Sequence, residues 1–310
     1  MLSLVHALGP VFMVILVGVF LKKIRFPSVE FWPQLERLVY FFLFPAMLAT
    51  RLALADFSDV AVGRVLLAVF LVLLAMTLLM LLIRRLISRN GAEFTSVYQG
   101  GIRFNTYVAI AASAELFGGL GLALAAVIMA LMIPLLNVLC VIVFSLYAGE
   151  QRMDMRKTLV TVIKNPLILG CLLGIFLNIT GIGMPGWTQP VMEIISRAAL
   201  PLGLLAVGVA LNLAALRTAG KPLIISTLLK LLIMPLVAVG ISLLLNLEVQ
   251  EQAMLVLFSA VPTATSAYIL ARQLGGDAPL MAAIVTAQTL VAMLTLPLVI
   301  YLNQLAFGLS

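Results

Sequence analysis

The stretch Gln99–Gly119, QGGIRFNTYVAIAASAELFGG, decides how the rest of the chain is read. It is too polar and too rich in glycine for a plain lipid-facing helix, yet it lies within a very apolar chain. Sliding the sequence by 157 residues places Asn105-Thr106 on Pro262-Thr263, Gly118-Gly119 on Gly275-Gly276, and Ala125-Ala126 on Ala282-Ala283. Both segments set small or helix-breaking residues mid-span, where an interrupted helix is tolerated only against a protein-lined cavity. The two breaks are the expected functional centre, with the remainder as scaffold around them.

Composition fixes the class. Hydrophobic residues make up 64% of the chain and charged ones 10%, with a mean hydropathy of +1.22. Such a chain is not a water-soluble domain. Leu4–Leu21 is apolar enough to pass for a signal peptide. However, no basic region precedes it, the basic Lys22-Lys23-Ile24-Arg25 follows it, and no A-x-A site appears, so it reads as a retained first membrane helix. Cys140 and Cys171 lie inside apolar spans and read as buried thiols.

Ten candidate spans of about 20 residues match a hydrocarbon core of ~30 Å. They cover 3–22, 34–53, 62–87, 95–117, 120–147, 159–179, 189–215, 221–245, 251–273 and 278–306. The longest polar connection, Ala148–Thr158, falls near the midpoint and divides a first five-helix repeat (1–147) from a second (159–310), with 148–158 as a linker. At a slide of 156, Pro10 falls on Pro166, Gly18 on Gly174, Phe20-Leu21 on Phe176-Leu177 and Pro45 on Pro201. Five spans per half is an odd number, so the second half enters the membrane with opposite polarity. The predicted fold is an all-α polytopic membrane protein, a 5+5 inverted repeat with two broken, crossing helices, which is the hallmark of secondary transporters.

Basic residues set the orientation. Lys22, Lys23, Arg25, Arg84, Arg85, Arg89, Arg152, Arg156, Lys157, Arg217 and Lys221 fall on one side, against Arg51 and Arg64 with Asp56 and Asp59 on the other. The positive-inside rule makes the first side cytoplasmic and puts both termini outside. The net charge of +7 is thereby a topology signal, and nucleic acid is not implied.

A charge at mid-bilayer costs from ~3 kcal/mol upward, so polar residues inside spans are the first functional candidates. Asn105 can offer donors and an acceptor to a substrate, or cap the unwound segment. Pro262 removes a backbone hydrogen bond and so helps to create the site. The Thr263-Ala264-Thr265-Ser266 run supplies hydroxyls, which in packed helices more often bond back to their own turn. Arg103 lies ~12 Å into its span, counting 1.5 Å per residue. It either holds a carboxylate in a bidentate fork or snorkels to the interface. Lys230 stands at a similar depth with the same alternatives. Together these two cations would make a vestibule attractive to anions. Thr106, Tyr107 and Asn137 complete the candidate substrate-binding set. Glu115 and Arg272 sit near helix ends and read as interfacial.

Asp56, Asp59, Asp154 and Asp277 all fall in loops or at span ends, so the buried carboxylate of a cation–proton antiporter is not found. His6 is the sole histidine and no H-E-x-x-H motif occurs, so neither a catalytic activity nor a metal or other cofactor is expected.

RFNTY at Arg103–Tyr107, NPLILG at Asn165–Gly170, KLLIMP at Lys230–Pro235 and AVPT at Ala260–Thr263, within this full-length layout, make the chain resemble the auxin efflux carrier family. The resemblance implies a fold like that of sodium–proton antiporters and bile-acid symporters, with the fourth and ninth helices unwound at the substrate site. It implies scaffold helices within 3–53 and 159–215, and a mobile transport domain within 62–147 and 221–306. It also implies a small organic anion as substrate, a location in the bacterial inner membrane, and a homodimer formed through the scaffold. Plant members carry proline at both crossings, whereas here the first has Asn105 and the Gly100-Gly101 pair. Bacterial members handle malonate, malate and other acids, which makes auxin itself a poor guess. The reading is a secondary transporter of a small carboxylate or auxin-like acid working by an elevator movement, its coupling ion (proton or sodium) open. A sodium-coupled symporter of the bile-acid type and a ligand sensor that moves nothing are the alternatives.

Overall fold

A computed structural model describes residues 2–55, 62–148, 166–184, 186–218 and 220–307. The inter-repeat linker beyond Ala148, the first residues of the sixth predicted span, and Asp56, Asp59, Arg152, Asp154, Arg156 and Lys157 lie outside the described residues. Among the described residues the regular structure is helical throughout. It comprises α1 (Leu2–Lys23), α2 (Phe31–Leu38), α3 (Phe44–Ala53), α4 (Val62–Leu82), α5 (Arg84–Ile87), α6 (Gly91–Ile102) and α7 (Thr106–Tyr147). After the linker come α8 (Pro166–Ile179), α9 (Thr188–Ala210), α10 (Gly220–Leu228), α11 (Met234–Leu244), α12 (Val249–Ala260), α13 (Ser266–Leu274) and α14 (Ala278–Phe307).

Six stretches are long and apolar enough to cross a bilayer: His6–Lys23, Val62–Leu82, Gly91–Tyr147, Thr188–Ala210, Gly220–Leu244 and Ala278–Phe307. The outward surface agrees. Leu82, Ile179, Leu244, Leu294 and Leu305 are between 71% and 84% exposed, which only a lipid environment leaves unpenalised. The chain is a polytopic membrane protein.

Two helices widen before a proline. Pro45 and Pro235 lack an N–H, so the carbonyls four residues earlier lose their helical donors. A π-helical turn precedes each, at Val39–Leu43 and Leu229–Ile233, and carries the chain past the defect from α2 into α3 and from α10 into α11. The span predicted over 189–215 ends sooner: α9 stops at Ala210, and Leu213–Thr218 forms a separate 3₁₀ turn.

The helices sort by contact into two groups. In the first, α3 packs chiefly on α8, and α1 and α3 both pack on α9. The closeness depends on two glycines. A Cβ on Gly18 of α1 would collide with Leu205 O of α9, and one on Gly174 of α8 would collide with Ala49 O of α3. Small residues let membrane helices approach where no hydrophobic force drives them together. In the second group, α4, α6, α7 and α10–α14 pack on one another. The groups meet mainly through α7 and α14. Gly118, at φ 57°, breaks α7 into two arms, and Gly275, at φ 78°, closes α13; both are left-handed conformations suited to glycine.

Candidate functional site

Each break follows from its own residues. α6 ends where Arg103 turns extended, at φ −72° and ψ 155°. The chain re-enters a helix at Asn105, whose Oδ1 accepts from Tyr107 N at 3.1 Å and Val108 N at 3.3 Å, an N-cap inside the protein. α12 ends at Val261, at φ −69° and ψ 149°. The ring of Pro262 disfavours helix at the residue before it, and its missing N–H strips Phe258 O of its helical donor.

The two interruptions satisfy each other. Asn105 N donates to Pro262 O at 2.7 Å. Thr263 Oγ1 donates to Gly100 O at 2.8 Å and to Arg103 O at 3.4 Å. For Thr263 this corrects the expectation that the hydroxyls of the run bond back to their own turn: the break frees Gly100 O and Arg103 O, and Thr263 donates to them. Gln288 of α14 closes the arrangement. Its Oε1 accepts from Thr263 N at 3.0 Å, and its Nε2 donates to Gly100 O at 2.9 Å and Ser226 O at 3.2 Å. Lys230 is fully buried in the widened turn, and its Nζ donates to Phe258 O at 3.4 Å beside Met234 Sδ at 3.2 Å. Phe104 and Phe258, 5.3 Å between ring centroids, pack the apolar side of the crossing.

One donor at the crossing is left over. Asn105 is 1% exposed, and while its Oδ1 caps α7, its Nδ2 has no protein partner. A buried, unsatisfied amide costs about 1–3 kcal/mol, which a ligand oxygen would relieve. Gln99 Oε1 is similarly unpartnered, but its amide nitrogen faces Ala267 O and Met281 rather than the break.

The predicted cations do not share a vestibule. Arg103 Nη1 donates to Asn137 Oδ1 at 3.3 Å and approaches Cys140 Sγ at 3.9 Å, while Nη2 donates to Ser266 Oγ at 3.3 Å. The guanidinium thus ties α7 to α13 through neutral groups, and Asn137 and Ser266 serve as its acceptors. Lys230 engages α12 instead. A cleft of about 500 Å³ lies between the helix groups, lined by Lys22, Ala210, Asn212 and Ala215 on one wall and Thr265, Tyr268, Pro279, Ala282 and Val285 on the other. Of the predicted residues only Thr265 lines it; its cation is Lys22, whose Nζ donates to Leu211 O at 2.6 Å. Tyr107 is not among the lining residues and packs on Phe44 at 4.8 Å between centroids and against Gly203. Thr106 opens the first turn of α7. Asp277 accepts from Leu280 N at 2.9 Å, a helix-end role for the one described aspartate among the four weighed.

Gln288, Ser226, Lys22 and Asn212 are absent from the sequence-predicted set. A signal existed for Gln288, an uncharged polar residue amid an apolar span. Lys22 reads in sequence only as an orientation charge.

Comparison with known proteins adds the class. An uncharacterized transporter of Methanothermobacter thermautotrophicus is 26% identical over 291 residues, covering 93% of this chain and 94% of that protein. Residues 124–300, more than half of the chain, match the membrane transport protein family, a stretch that holds Lys230 and the second break. Family and relative both point to transport rather than catalysis. With the motifs at Arg103, Lys230 and Ala260, these matches place the chain in the membrane transport protein family, as a carrier of the auxin-efflux type.

Proposed function

We propose that the chain is a secondary transporter that carries a small organic anion across the bacterial inner membrane, holding it where the two broken helices cross. The observation that carries this is Asn105 Nδ2, a buried donor without a protein partner at a crossing where Gly100 O and Arg103 O already accept from Thr263 and Gln288. The setting favours an anion. Lys22 is the charged residue of the cleft wall, and the positive ends of α7 and α13 begin at the breaks.

Counting each interrupted helix as one passage gives ten passages in two inverted halves. The contacts support this. Asn105 meets Pro262, the residue that the slide of 157 places on it. Gly18 meets Leu205 as Gly174 meets Ala49, and both members are displaced by 156. Inverted repeats of this kind work by moving one bundle against the other. The group of α1, α2, α3, α8 and α9 is the scaffold in this reading, and the other group is the elevator. A direct polar link from Asn212 N to Thr286 Oγ1, 2.9 Å, breaks when the elevator moves.

The basic residues make the Lys22 end cytoplasmic and the termini periplasmic. The cleft then opens inward while Tyr107 against Phe44 seals the outer side. The test is uptake of radiolabelled mono- and dicarboxylates by proteoliposomes holding the purified protein. Saturable flux of one acid supports the reading. Saturable binding without flux of any acid overturns it in favour of a sensor.

A further inference from the structure

Given the transport reading, we infer that Lys230, assisted by Gln288, stands in for a coupling cation at the crossing, so that the carrier works without bound sodium. Carriers with broken helices seat their cations on the carbonyls that unwinding exposes. In this protein several of these carbonyls accept from the chain's own donors. Gly100 O takes Thr263 Oγ1 and Gln288 Nε2, Arg103 O takes Thr263 Oγ1, and Pro262 O takes Asn105 N.

Phe258 O is the acceptor that most resembles a cation seat, because Pro262 removes its helical donor and nothing in its own helix replaces it. Lys230 Nζ fills that place from the neighbouring helix. It reaches there because Pro235 imposes the π turn Leu229–Ile233, and Lys230 lies within that turn, fully buried. The Lys230 amine in this position donates to the same carbonyl that a bound sodium ion would contact. It stays with the protein through the cycle, while sodium would enter and leave with substrate. Removing the side chain would uncover Phe258 O and leave room for a monovalent cation.

The experiment compares wild type and Lys230→Ala in sodium, potassium and N-methyl-D-glucamine chlorides. Two quantities are measured: thermal unfolding in detergent, and flux of radiolabelled malonate and acetate into proteoliposomes. Wild type is expected to show the same Tm and the same flux in all three salts. Lys230→Ala is expected to have a lower Tm and at least about tenfold less flux in N-methyl-D-glucamine, the scale of one charge-assisted hydrogen bond. Sodium or potassium should restore part of both losses. Sodium raising the Tm or flux of wild type would overturn the inference, and this arm needs no variant to fold. A Lys230→Ala protein that behaves as wild type in every salt would overturn it, and so would losses that no cation restores. Unfolding does not depend on any acid being carried. If no acid moves, the transport reading fails while the Tm series still decides the role of Lys230.

Discussion

The two interruptions occupy corresponding places in the chain and are built differently. The first spans three residues, Arg103–Asn105, and ends in a side-chain cap. The second runs from Val261 to Thr265, contains a proline, and leads into α13 with no side-chain cap. Both stop a helix in the same extended conformation. A polar amide restarts the first, and two neighbouring elements support the second, α14 through Gln288 and the π turn before α11 through Lys230. The difference assigns roles. The amide that restarts the helix keeps a spare donor, while the proline break spends its polar groups on structure and contributes Thr265 to the cleft.

The largest expected effect attacks the second break. Gln288→Leu strips Thr263 N and Ser226 O of a buried partner each and should destabilise the protein by about 2–6 kcal/mol, at 1–3 kcal/mol per unsatisfied group. The check is the midpoint of unfolding in detergent. A fall no larger than that of a surface substitution would mean that the second break stands without support from α14. Next comes the pairing of helices across the halves. Gly18→Leu and Gly174→Leu should each cost about 1–3 kcal/mol from overpacking, and by similar amounts. Clearly unequal losses would break the equivalence of the two halves. Thr265→Val removes one neutral hydroxyl from the cleft and should raise the KM for uptake about fivefold with little change in Tm. The smallest effect belongs to Arg103→Gln, whose guanidinium meets only neutral groups at 3.3 Å or beyond. Flux should change by less than about fivefold, the worth of a long hydrogen bond. A loss of a hundredfold would return Arg103 to the substrate.

The membrane class and the places of the helix interruptions were legible in the sequence, because glycine, proline and asparagine inside apolar runs act locally. Asn105 and Pro262 were legible as breaks, and the slide that aligns them also names a pair in direct contact. What the breaks bond to was not legible. Gln288 stands 25 residues beyond Thr263 and reaches it only because α14 packs beside α6 and α12. Arg103 and Lys230 looked alike by depth, yet the π turn before Pro235 sends Lys230 to a backbone carbonyl while Arg103 meets Asn137. Lys22 carried a strong topological signal that concealed its position in the cleft wall.

The most direct measurement compares carboxylate uptake by wild type, Asn105→Ser and Asn105→Ala in proteoliposomes, with unfolding midpoints alongside. Ser keeps an uncharged cap oxygen but loses the spare N–H₂ donor, whereas Ala loses both, with a cap worth about 1 kcal/mol. The account predicts that Asn105→Ser remains nearly as stable as wild type while its uptake falls by at least about tenfold, matching one lost hydrogen bond of 1.4 kcal/mol. Asn105→Ala should lose uptake to a similar degree and unfold earlier. Uptake by Asn105→Ser equal to that of wild type would contradict the account, because the amide donor at the crossing would then not hold the substrate.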